Sequence, residues 1–224
     1  MKITYMGQAG LMLETESLRV MIDPYLSDCV KEVNPNNWRR VPIDESFFGL
    51  RPDVLIFTHD HLDHYDPVTV ERFLQTYDGI TVLATGTAWQ KAREFKKRHN
   101  YVLFERHTQW TEKGLKFTAV KACHSDPYAI GVLVEDGKKT YYITGDTLYS
   151  TEIFQDLPKN IDVVFLPING VGNNMNFCDA ARFFEGCGAK VAVPLHVGMF
   201  DELSAENWTA EPKVVPEIYK EIKL

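Results

Sequence analysis

The stretch Thr58–Asp66 reads THDHLDHYD and directly follows a short, wholly apolar segment that is typical of a buried strand. It contains the pattern H-x-H-x-D-H, formed by His59, His61, Asp63 and His64. Side chains two residues apart in an extended chain point to the same side, so His59 and His61 can converge on one ion. The tighter loop that follows can turn Asp63 and His64 toward a second ion beside the first.

The residue types in this stretch indicate a catalytic metal site. Imidazole together with carboxylate suits Zn²⁺, Mn²⁺ or Fe, and the absence of a cysteine ligand argues against a closed structural zinc site. Three histidines and two aspartates lie within the six residues from His59 to His64. A solvated polar turn is the alternative, but such a turn has no need for this concentration of metal-ligand types.

Three further candidate ligands, His124, Asp146 and His196, share one position, at or near the end of a predicted strand. Loops at strand ends build the sites of α/β proteins, so this position favours side chains that converge. Taken singly, a histidine at a strand end is more often structural or solvent-facing, and a Gly-Asp turn is often only a turn. Beside the first motif, the three together predict one shared site. His99 and His107 lack this position and are interpreted as surface residues.

The pattern of apolar residues along the chain predicts an α/β fold with two packed mixed sheets and helices outside. The long polar segment Leu26–Phe48 is predicted to be a loop, of the kind often associated with a binding site. Residues 1–224 show no repeat or linker, so one domain is expected. Predicted strands are Lys2–Met6, Leu11–Glu14, Leu18–Ile22, Val54–Phe57, Thr81–Ala84, Lys116–Ala122, Ala129–Val134, Thr140–Thr144, Val163–Leu166 and Lys190–Pro194. Predicted helices are Pro67–Thr76, Thr87–His99, Phe177–Glu185 with Asn176 as its cap, and a short one from Pro216.

The charge of the chain bears on its partners. Its 224 residues include 24 Lys+Arg and 31 Asp+Glu, a formal net charge of −7. Such a surface repels nucleic-acid backbones on average. The basic segment Lys91–His99, KAREFKKRH, is a local exception, which we interpret as the solvated face of an amphipathic helix. Nucleic acid is therefore not an expected partner. Apolar runs such as Val163–Ile168 are strand-sized and too short to span a membrane, so a membrane is not an expected partner either.

The cysteines and the first residues bear on location. Cys29, Cys123, Cys178 and Cys187 are scattered and form no CxxC pair, so they predict neither a disulfide framework nor a cysteine zinc site. The first residues are typical of a strand rather than of a signal peptide. A cytoplasmic location and a small-molecule partner are therefore expected, and a homo-oligomer is left open.

The order of the motifs resembles the metallo-β-lactamase fold family, in which H-x-H-x-D-H is followed by a single His, an Asp in a strand-end loop and a final His. The resemblance covers nearly the whole chain and implies a four-layer αββα sandwich that holds two divalent ions, Zn²⁺ first and Mn or Fe as alternatives. It assigns one ion to His59, His61 and His124, the second ion to Asp63, His64 and His196, and a bridging position to Asp146. The sequence IDP at Ile22–Pro24 also matches the family and places Asp23 near the site in a supporting role. A plain turn before Pro24 is the alternative for Asp23.

Within this fold the sequence is similar to the L-ascorbate 6-phosphate lactonase-like group. The similar segments are MGQAG, HDHLDH, TGDT followed by LYS, and ING, NMN, DAA and AKVAVPLH in that order. The resemblance implies hydrolysis of a small anionic lactone or carboxylic ester by a hydroxide formed between two ions about 3.5–4 Å apart. Asp63 and Asp146 are the expected catalytic residues, Asp63 to orient the nucleophile or shuttle its proton and Asp146 to bridge the ions.

Substrate recognition is indicated by two loops. The loop Asn169–Asn176 lies between a predicted strand and a predicted helix, where amides can cradle an anion, although asparagines there also form turns and caps. Two arginines of the long polar loop could pair with a phosphate, or lie in a solvated basic turn. The candidates are Asn169, Asn173, Asn174, Arg39 and Arg40.

Two other functions stay open at this point. A phosphodiesterase or nuclease of the same fold would need a basic exosite or an added nucleic-acid-binding segment, and neither is evident in the sequence. A metal-binding module without turnover is the other alternative, and the complete set of ligands argues against it. The chain has no G-x-S-x-G, no G-x-G-x-x-G and no Walker A motif, so neither a serine hydrolase nor a nucleotide cofactor is indicated.

Overall fold

The computed structural model of the chain describes residues 1–95 and 98–224. Within these ranges each half of the chain forms one six-stranded sheet. The first sheet contains β1 (Lys2–Gly7), β2 (Gly10–Glu14), β3 (Arg19–Ile22), β4 (Val54–Phe57), β5 (Thr81–Ala84) and β6 (Asn100–Leu103). The second contains β7 (Gln109–Glu112), β8 (Leu115–Lys121), β9 (Ile130–Glu135), β10 (Thr140–Ile143), β11 (Val163–Pro167) and β12 (Val191–Leu195). The helices are α1 (Cys29–Val33), α2 (Pro67–Thr76), α3 (Gly86–Arg93) and α4 (Phe177–Cys187), with 3₁₀ segments at Glu45–Gly49, Thr151–Asp156 and Ala205–Asn207.

Both sheets change from antiparallel to parallel pairing along the chain. In the first sheet β1, β2 and β3 pair antiparallel, and β3 to β6 pair parallel. In the second sheet β7 to β10 pair antiparallel, and β10, β11 and β12 pair parallel. Consequently β1, β3 and β4 run in one direction within the first sheet, as do β8, β10, β11 and β12 within the second. The carboxyl ends of these strands gather at one edge of each sheet.

The two sheets pack face to face, and the helices cover their outer faces. Alternate side chains of each strand point inward, as Tyr5 of β1 does, and join a core cluster to which both sheets contribute. The outward side of the first sheet packs with Phe73 of α2 and Ala88 of α3. The outward side of the second sheet packs with Phe183 of α4. This arrangement confirms the predicted α/β sandwich of two mixed sheets with helices outside.

Helices α2 and α4 were predicted well because residues next to their ends specify where they begin or end. Helix α2 begins after Asp66, whose side chain accepts hydrogen bonds from the backbone N–H groups of Val68 and Thr69. Helix α4 begins after Asn176, whose side chain accepts from the N–H of Asp179, and ends at Gly188 in the left-handed conformation. The predicted Asn176 cap is therefore confirmed.

The region after β5 differs from the prediction. The helix predicted over Thr87–His99 ends at Arg93, and Lys96 and Lys97 lie outside the described residues. The prediction that the KAREFKKRH segment forms the solvated face of a helix is therefore tested only for the residues of this segment that the structure describes. Strands β6 and β7 were not predicted; both are partly exposed edge strands of four residues, with the sequences NYVL and QWTE.

The C-terminal helix predicted from Pro216 is wrong. The segment instead runs beside the edge strand β1, where the N–H of Tyr5 donates to the carbonyl of Lys220 at 3.0 Å. The N–H groups of Tyr219 and Ile222 donate in turn to carbonyls of β1, at 2.7 and 2.8 Å. An edge strand presents unpaired backbone groups, and an extended segment satisfies them where a helix cannot.

The segment Leu26–Phe48, predicted as a loop, contains the short helix α1 and runs into the 3₁₀ segment that begins at Glu45. Its Arg39 is buried, and its guanidinium donates to the carbonyl of Tyr25 at 2.7 Å and to the hydroxyl of Tyr219 at 2.6 Å. Arg39 therefore ties this loop to the C-terminal segment, and its guanidinium is committed to these contacts rather than to an anion.

No helix among the described residues combines the length and the apolar character needed to cross a lipid bilayer.

Gly145 tests how tightly the sheet ends are packed. It has a φ of +61°, and an added Cβ would lie 2.8 Å from the carbonyl oxygen of Ile130 and 3.0 Å from Cβ of Thr58. We expect Gly145→Ala to lower the free energy of unfolding by about 1–2 kcal/mol for the left-handed backbone and by a further 1–3 kcal/mol or so for overpacking. Urea denaturation measures the sum of these two costs.

Gly137→Ala is the matched control, because Gly137 has a φ of +82° and open space around the added Cβ. It is expected to carry only the backbone cost, about 1–2 kcal/mol. Equal destabilisation by the two variants would contradict the close packing at Gly145.

Candidate metal centre

Seven side chains of metal-ligand type converge where the strand ends of the two sheets meet. The loop after β4 supplies four of them, and its turn is closed by the N–H groups of His64 and Tyr65, which donate to the carbonyl of His61. The loops after β8, β10 and β12 supply one each. The seven are His59, His61, Asp63, His64, His124, Asp146 and His196. The strand-end positions noted in the sequence thus lie together in space.

The first group consists of three histidines, His59, His61 and His124. Their ligand atoms lie within 4.8 Å of one another. The ring centroids form a nearly equilateral triangle, with sides of 4.7, 4.6 and 4.7 Å. Nε2 of His59 is buried without a hydrogen-bond partner, which is costly unless another group, such as a cation, satisfies its lone pair. The donor set therefore fits a transition-metal ion.

The protonation of this group also suits a metal ion. Burial, followed by repulsion from the His64 charge, holds the pKa of His59 well below its usual range, and burial lowers the pKa of His124. Both rings are therefore neutral and carry a lone pair. His124 differs in that Nδ1 accepts from the N–H of Asp126 and Nε2 lies 3.2 Å from the carbonyl of Gly172, so it must exchange one contact to coordinate.

The second group consists of Asp63, His64 and His196, again with ligand atoms within 4.8 Å of one another. Nε2 of His196 lies 3.2 Å from Oδ2 of Asp63 and 3.4 Å from Nε2 of His64. This mixed set of two imidazoles and a carboxylate fits the same class of ions as the first. The two groups coincide with the two ligand sets that the sequence resemblance implies, while their binding of ions stays a prediction.

Asp146 lies on the border between the groups. Its Oδ1 is 3.1 Å from Nε2 of His64, and its Oδ2 is 3.2 Å from Nε2 of His196. With His59 and His64 it forms a further set of ligand atoms within 4.8 Å of one another. A carboxylate in this position can face an ion on either side.

The electric field of the second group favours positive charge. Burial by itself lowers the pKa of both histidines, but the carboxylates of Asp146 and Asp63 outweigh it, so that the pKa of His64 is raised well above its usual range and that of His196 to about 9. Burial raises the pKa of the two carboxyls, and the charged histidines reverse this and lower it. The buried carboxylate of Asp146 and the partly buried carboxylate of Asp63 therefore stabilise cationic charge between them.

Asp23 lies next to the ligand groups, as the sequence resemblance implies, and its supporting role at an ion stays a prediction. Its Oδ1 accepts the N–H of Thr58 at 2.8 Å, and its Oδ2 accepts the Thr58 hydroxyl at 2.6 Å and lies 2.8 Å from Nδ1 of His64. A carboxylate at Nδ1 fixes the orientation of the imidazole and leaves Nε2 for an ion. The alternative, a plain turn before Pro24, does not account for these contacts.

Two further buried amides hold the carboxylates. Nδ2 of Asn174 donates to Oδ2 of Asp146 at 2.8 Å, and its Oδ1 accepts the N–H of Thr147. Nε2 of Gln8 donates to Oδ2 of Asp63 at 2.7 Å and lies 3.2 Å from the ring of His196. Gln8 was missed among the site residues in the sequence, although its position at the end of β1, in MGQAG, was the available signal.

A cavity of about 370 Å³ opens above the two groups. Four of the seven ligand-type residues line it, namely His61, Asp63, Asp146 and His196. Val30, Val171 and Phe200 give the wall an apolar part. A cavity of this volume fits a small molecule next to the ligand groups.

The residues predicted to bind substrate are placed differently from one another. Asn169 lines the cavity, whereas Asn174 is buried on Asp146 and Asn173 is an exposed turn residue with a φ of +65°. Arg40 is not among the lining residues, because its guanidinium pairs with Glu202 at 3.1 Å. Asp201, which the sequence analysis did not single out, does line the cavity.

Asp23→Asn tests the supporting carboxylate. Replacement of one oxygen by NH₂ removes an acceptor from the pair of contacts at Thr58 and Nδ1 of His64. Loss of such a partner is expected to weaken metal affinity about 10- to 100-fold. Competition with a chelating dye measures it. Asp44→Asn is the matched control, since Asp44 only caps the 3₁₀ segment at Glu45 and Asn caps equally well. Equal affinity of both variants would exclude the supporting role.

Comparisons with known proteins agree with this geometry. A family model described as a β-lactamase superfamily domain matches residues 18–197. A UPF0173 metal-dependent hydrolase of Korarchaeum cryptofilum is 30% identical over 210 residues, which cover 92% of this chain and 86% of the relative. A UPF0173 metal-dependent hydrolase of an Exiguobacterium species is 29% identical over 250 residues, covering 97% and 100%.

A solved structure supports the fold. Igni18, a metallo hydrolase from the archaeon Ignicoccus hospitalis, superposes with a TM-score of 0.67 at 20% identity, covering 88% of this chain and 82% of Igni18. At this identity the likeness concerns the fold. The family model and the curated relatives go further, and they show that this chain belongs to the metallo-β-lactamase superfamily and, within it, to the UPF0173 metal-dependent hydrolases.

Proposed function

We propose that this metal-dependent hydrolase uses two divalent ions to hydrolyse a small carboxylic ester or lactone. The observation that carries the proposal is the pair of ligand groups, which share Asp146 at their border and open together into a cavity of about 370 Å³. The first group would hold one ion through three imidazoles. The second would hold the other through two imidazoles and a carboxylate. Zn²⁺ suits both sets best, and Mn²⁺ or Fe are the alternatives.

Two ions held in this way would supply an activated water and would polarise the carbonyl oxygen of the scissile bond. The side chains around them provide position and proton transfer. Oδ2 of Asp63 is held by Gln8 at 2.7 Å, and Asp63 lines the cavity, so its carboxylate can orient the attacking water and take its proton. Nδ2 of Asn174 donates to Oδ2 of Asp146 at 2.8 Å and so fixes this carboxylate.

The size and the walls of the cavity support a small substrate. A nucleic acid would have to pack against a protein whose net charge is −7, which repels its phosphates. The apolar wall at Val30, Val171 and Phe200 suits a compact organic molecule. The lactone or ester bond is taken from the resemblance to the L-ascorbate 6-phosphate lactonase-like group. The same resemblance implies an anionic substrate, but among the candidate arginine and asparagine donors only Asn169 lines the cavity. The proposal therefore does not include that anionic character.

The ion count is tested by elemental analysis of protein purified without chelator. The wild type is expected to contain one to two equivalents of Zn, Mn or Fe. Asp146→Ala is expected to lose double occupancy and turnover, because a carboxylate between two cations offsets their repulsion. His61→Ala removes a terminal ligand and is expected to reduce double occupancy less.

Asp162→Ala is the control for these variants, since Asp162 pairs with Lys190 at the surface. Retention of both ions and of turnover in Asp146→Ala would exclude the bridging role. A wild-type protein with no metal, and no uptake on reconstitution, would exclude both ion sites.

The reaction is tested with the metal-loaded protein on simple γ-lactones, sugar-phosphate lactones and carboxylic esters. Bis-nitrophenyl phosphate, single-stranded RNA and precursor tRNA are assayed in parallel. Turnover of a lactone or ester is expected, together with its loss in Asp146→Ala and on chelation. Efficient, salt-sensitive RNA cleavage without lactone or ester turnover would replace the proposal with a nuclease function.

A further inference from the structure

The charged groups on the cavity wall are unusual for a site expected to bind an anion. Apart from the histidines, the charged residues that line it are Asp63, Asp146 and Asp201. No lysine or arginine of the described ranges is among the lining residues. Asp63 and Asp146 belong to the ligand groups, so Asp201 is an additional acidic group that neither ion set uses.

Asp201 is held firmly by its own loop. Its Oδ1 accepts the backbone N–H groups of Gly198 and Leu203, both at 2.9 Å. Gly198 lies two residues after His196, so these hydrogen bonds keep the carboxylate close to the second ligand group. Oδ2 has no hydrogen-bond partner in the part of the chain that the structure describes. One oxygen of a fixed carboxylate thus stays free on the cavity wall.

Asn169 offers a second acceptor in the same region. Its Oδ1 is buried without a hydrogen-bond partner, and its side chain lines the cavity. The preceding residue, Ile168, donates its N–H to the carbonyl of Leu195, which directly precedes His196. Asn169 and Asp201 therefore flank His196 from two different loops. A buried acceptor without a partner is costly, and a donor on a bound molecule would remove that cost.

We infer that this hydrolase recognises a protonated amine on its substrate, close to the scissile ester or lactone bond, through Asp201 and Asn169. An ammonium group carries several N–H donors, enough for both free acceptors, and its charge complements the Asp201 carboxylate. A carboxylate or phosphate at the same place would face that carboxylate, and no lysine or arginine is among the described lining residues to pair with it. The inference rests on the proposed function, which supplies the ester or lactone bond.

Binding of two lactams tests the inference without turnover. 3-Aminopyrrolidin-2-one carries an ammonium group at a pH where its amine is protonated, and 5-oxopyrrolidine-2-carboxylate carries a carboxylate on the same ring. Isothermal titration of the metal-loaded protein gives the dissociation constant of each. Their ratio is compared between the wild type and Asp201→Asn, which keeps Oδ1 for Gly198 and Leu203 and removes the charge.

Glu202→Gln is the matched control. It removes the same charge from the neighbouring residue, whose side chain is 86% exposed and pairs with Arg40 instead of lining the cavity. In Asp201→Asn the ratio is expected to shift by about tenfold or more toward the carboxylate lactam, as for loss of a charged hydrogen bond. In Glu202→Gln it is expected to stay within twofold of the wild type, as is usual for loss of an exposed charge, about 0–1 kcal/mol.

An unchanged ratio in Asp201→Asn, an equal shift in Glu202→Gln, or no binding of either lactam would overturn the inference. Failure of the proposed function gives a different result. In that case the lactams can show the charge preference, while no lactone or ester is hydrolysed by the metal-loaded wild type.

Discussion

The buried carboxylate of Asp23 is the contact on which the geometry of the site depends. It is 1% exposed, and it accepts the backbone N–H and the hydroxyl of Thr58 while facing Nδ1 of His64. One side chain at the end of β3 thus fixes both ends of the H-x-H-x-D-H loop after β4. Because a buried carboxylate must be satisfied, the loop cannot move without leaving this charge unpaired. His59, His61 and Asp63 lie between these two ends, so the restraint also limits their positions.

The site is divided between the two halves of the chain. The first half contributes the loop after β4 together with Asp23 and Gln8, and the second contributes His124, Asp146 and His196. Asp146 joins the halves, since its two oxygens contact His64 from the first sheet and His196 from the second. The backbone also crosses there, where the N–H of Ile130 donates to the carbonyl of Thr58 at 3.0 Å. Gly145 allows this close approach because it carries no Cβ.

Local sequence patterns were sufficient to predict those parts of the structure that residues adjacent in the sequence specify. The H-x-H-x-D-H motif, the Asn176 cap of α4 and the apolar strands could be predicted because each depends on a few adjacent side chains. The C-terminal segment could not, since its extended form depends on the unpaired edge of β1, more than 200 residues away. Asp201 was missed for the same reason, because only the fold brings its loop to the cavity. Asn174 donates a hydrogen bond to Asp146, which lies 28 residues earlier in the chain. No pattern of neighbouring residues predicts that contact.

The division of the ligand groups between two sheets also links cation chemistry to conformational stability. An ion coordinated by His61 and His124, or by His64 and His196, cross-links residues that are 60 or more positions apart in the sequence. Such an ion binds the native arrangement and has little affinity for the separated halves. Its binding therefore raises the free energy of unfolding by RT ln(1 + [M]/Kd). The thermal midpoint of this chain therefore becomes a readout of free metal concentration, independent of any substrate.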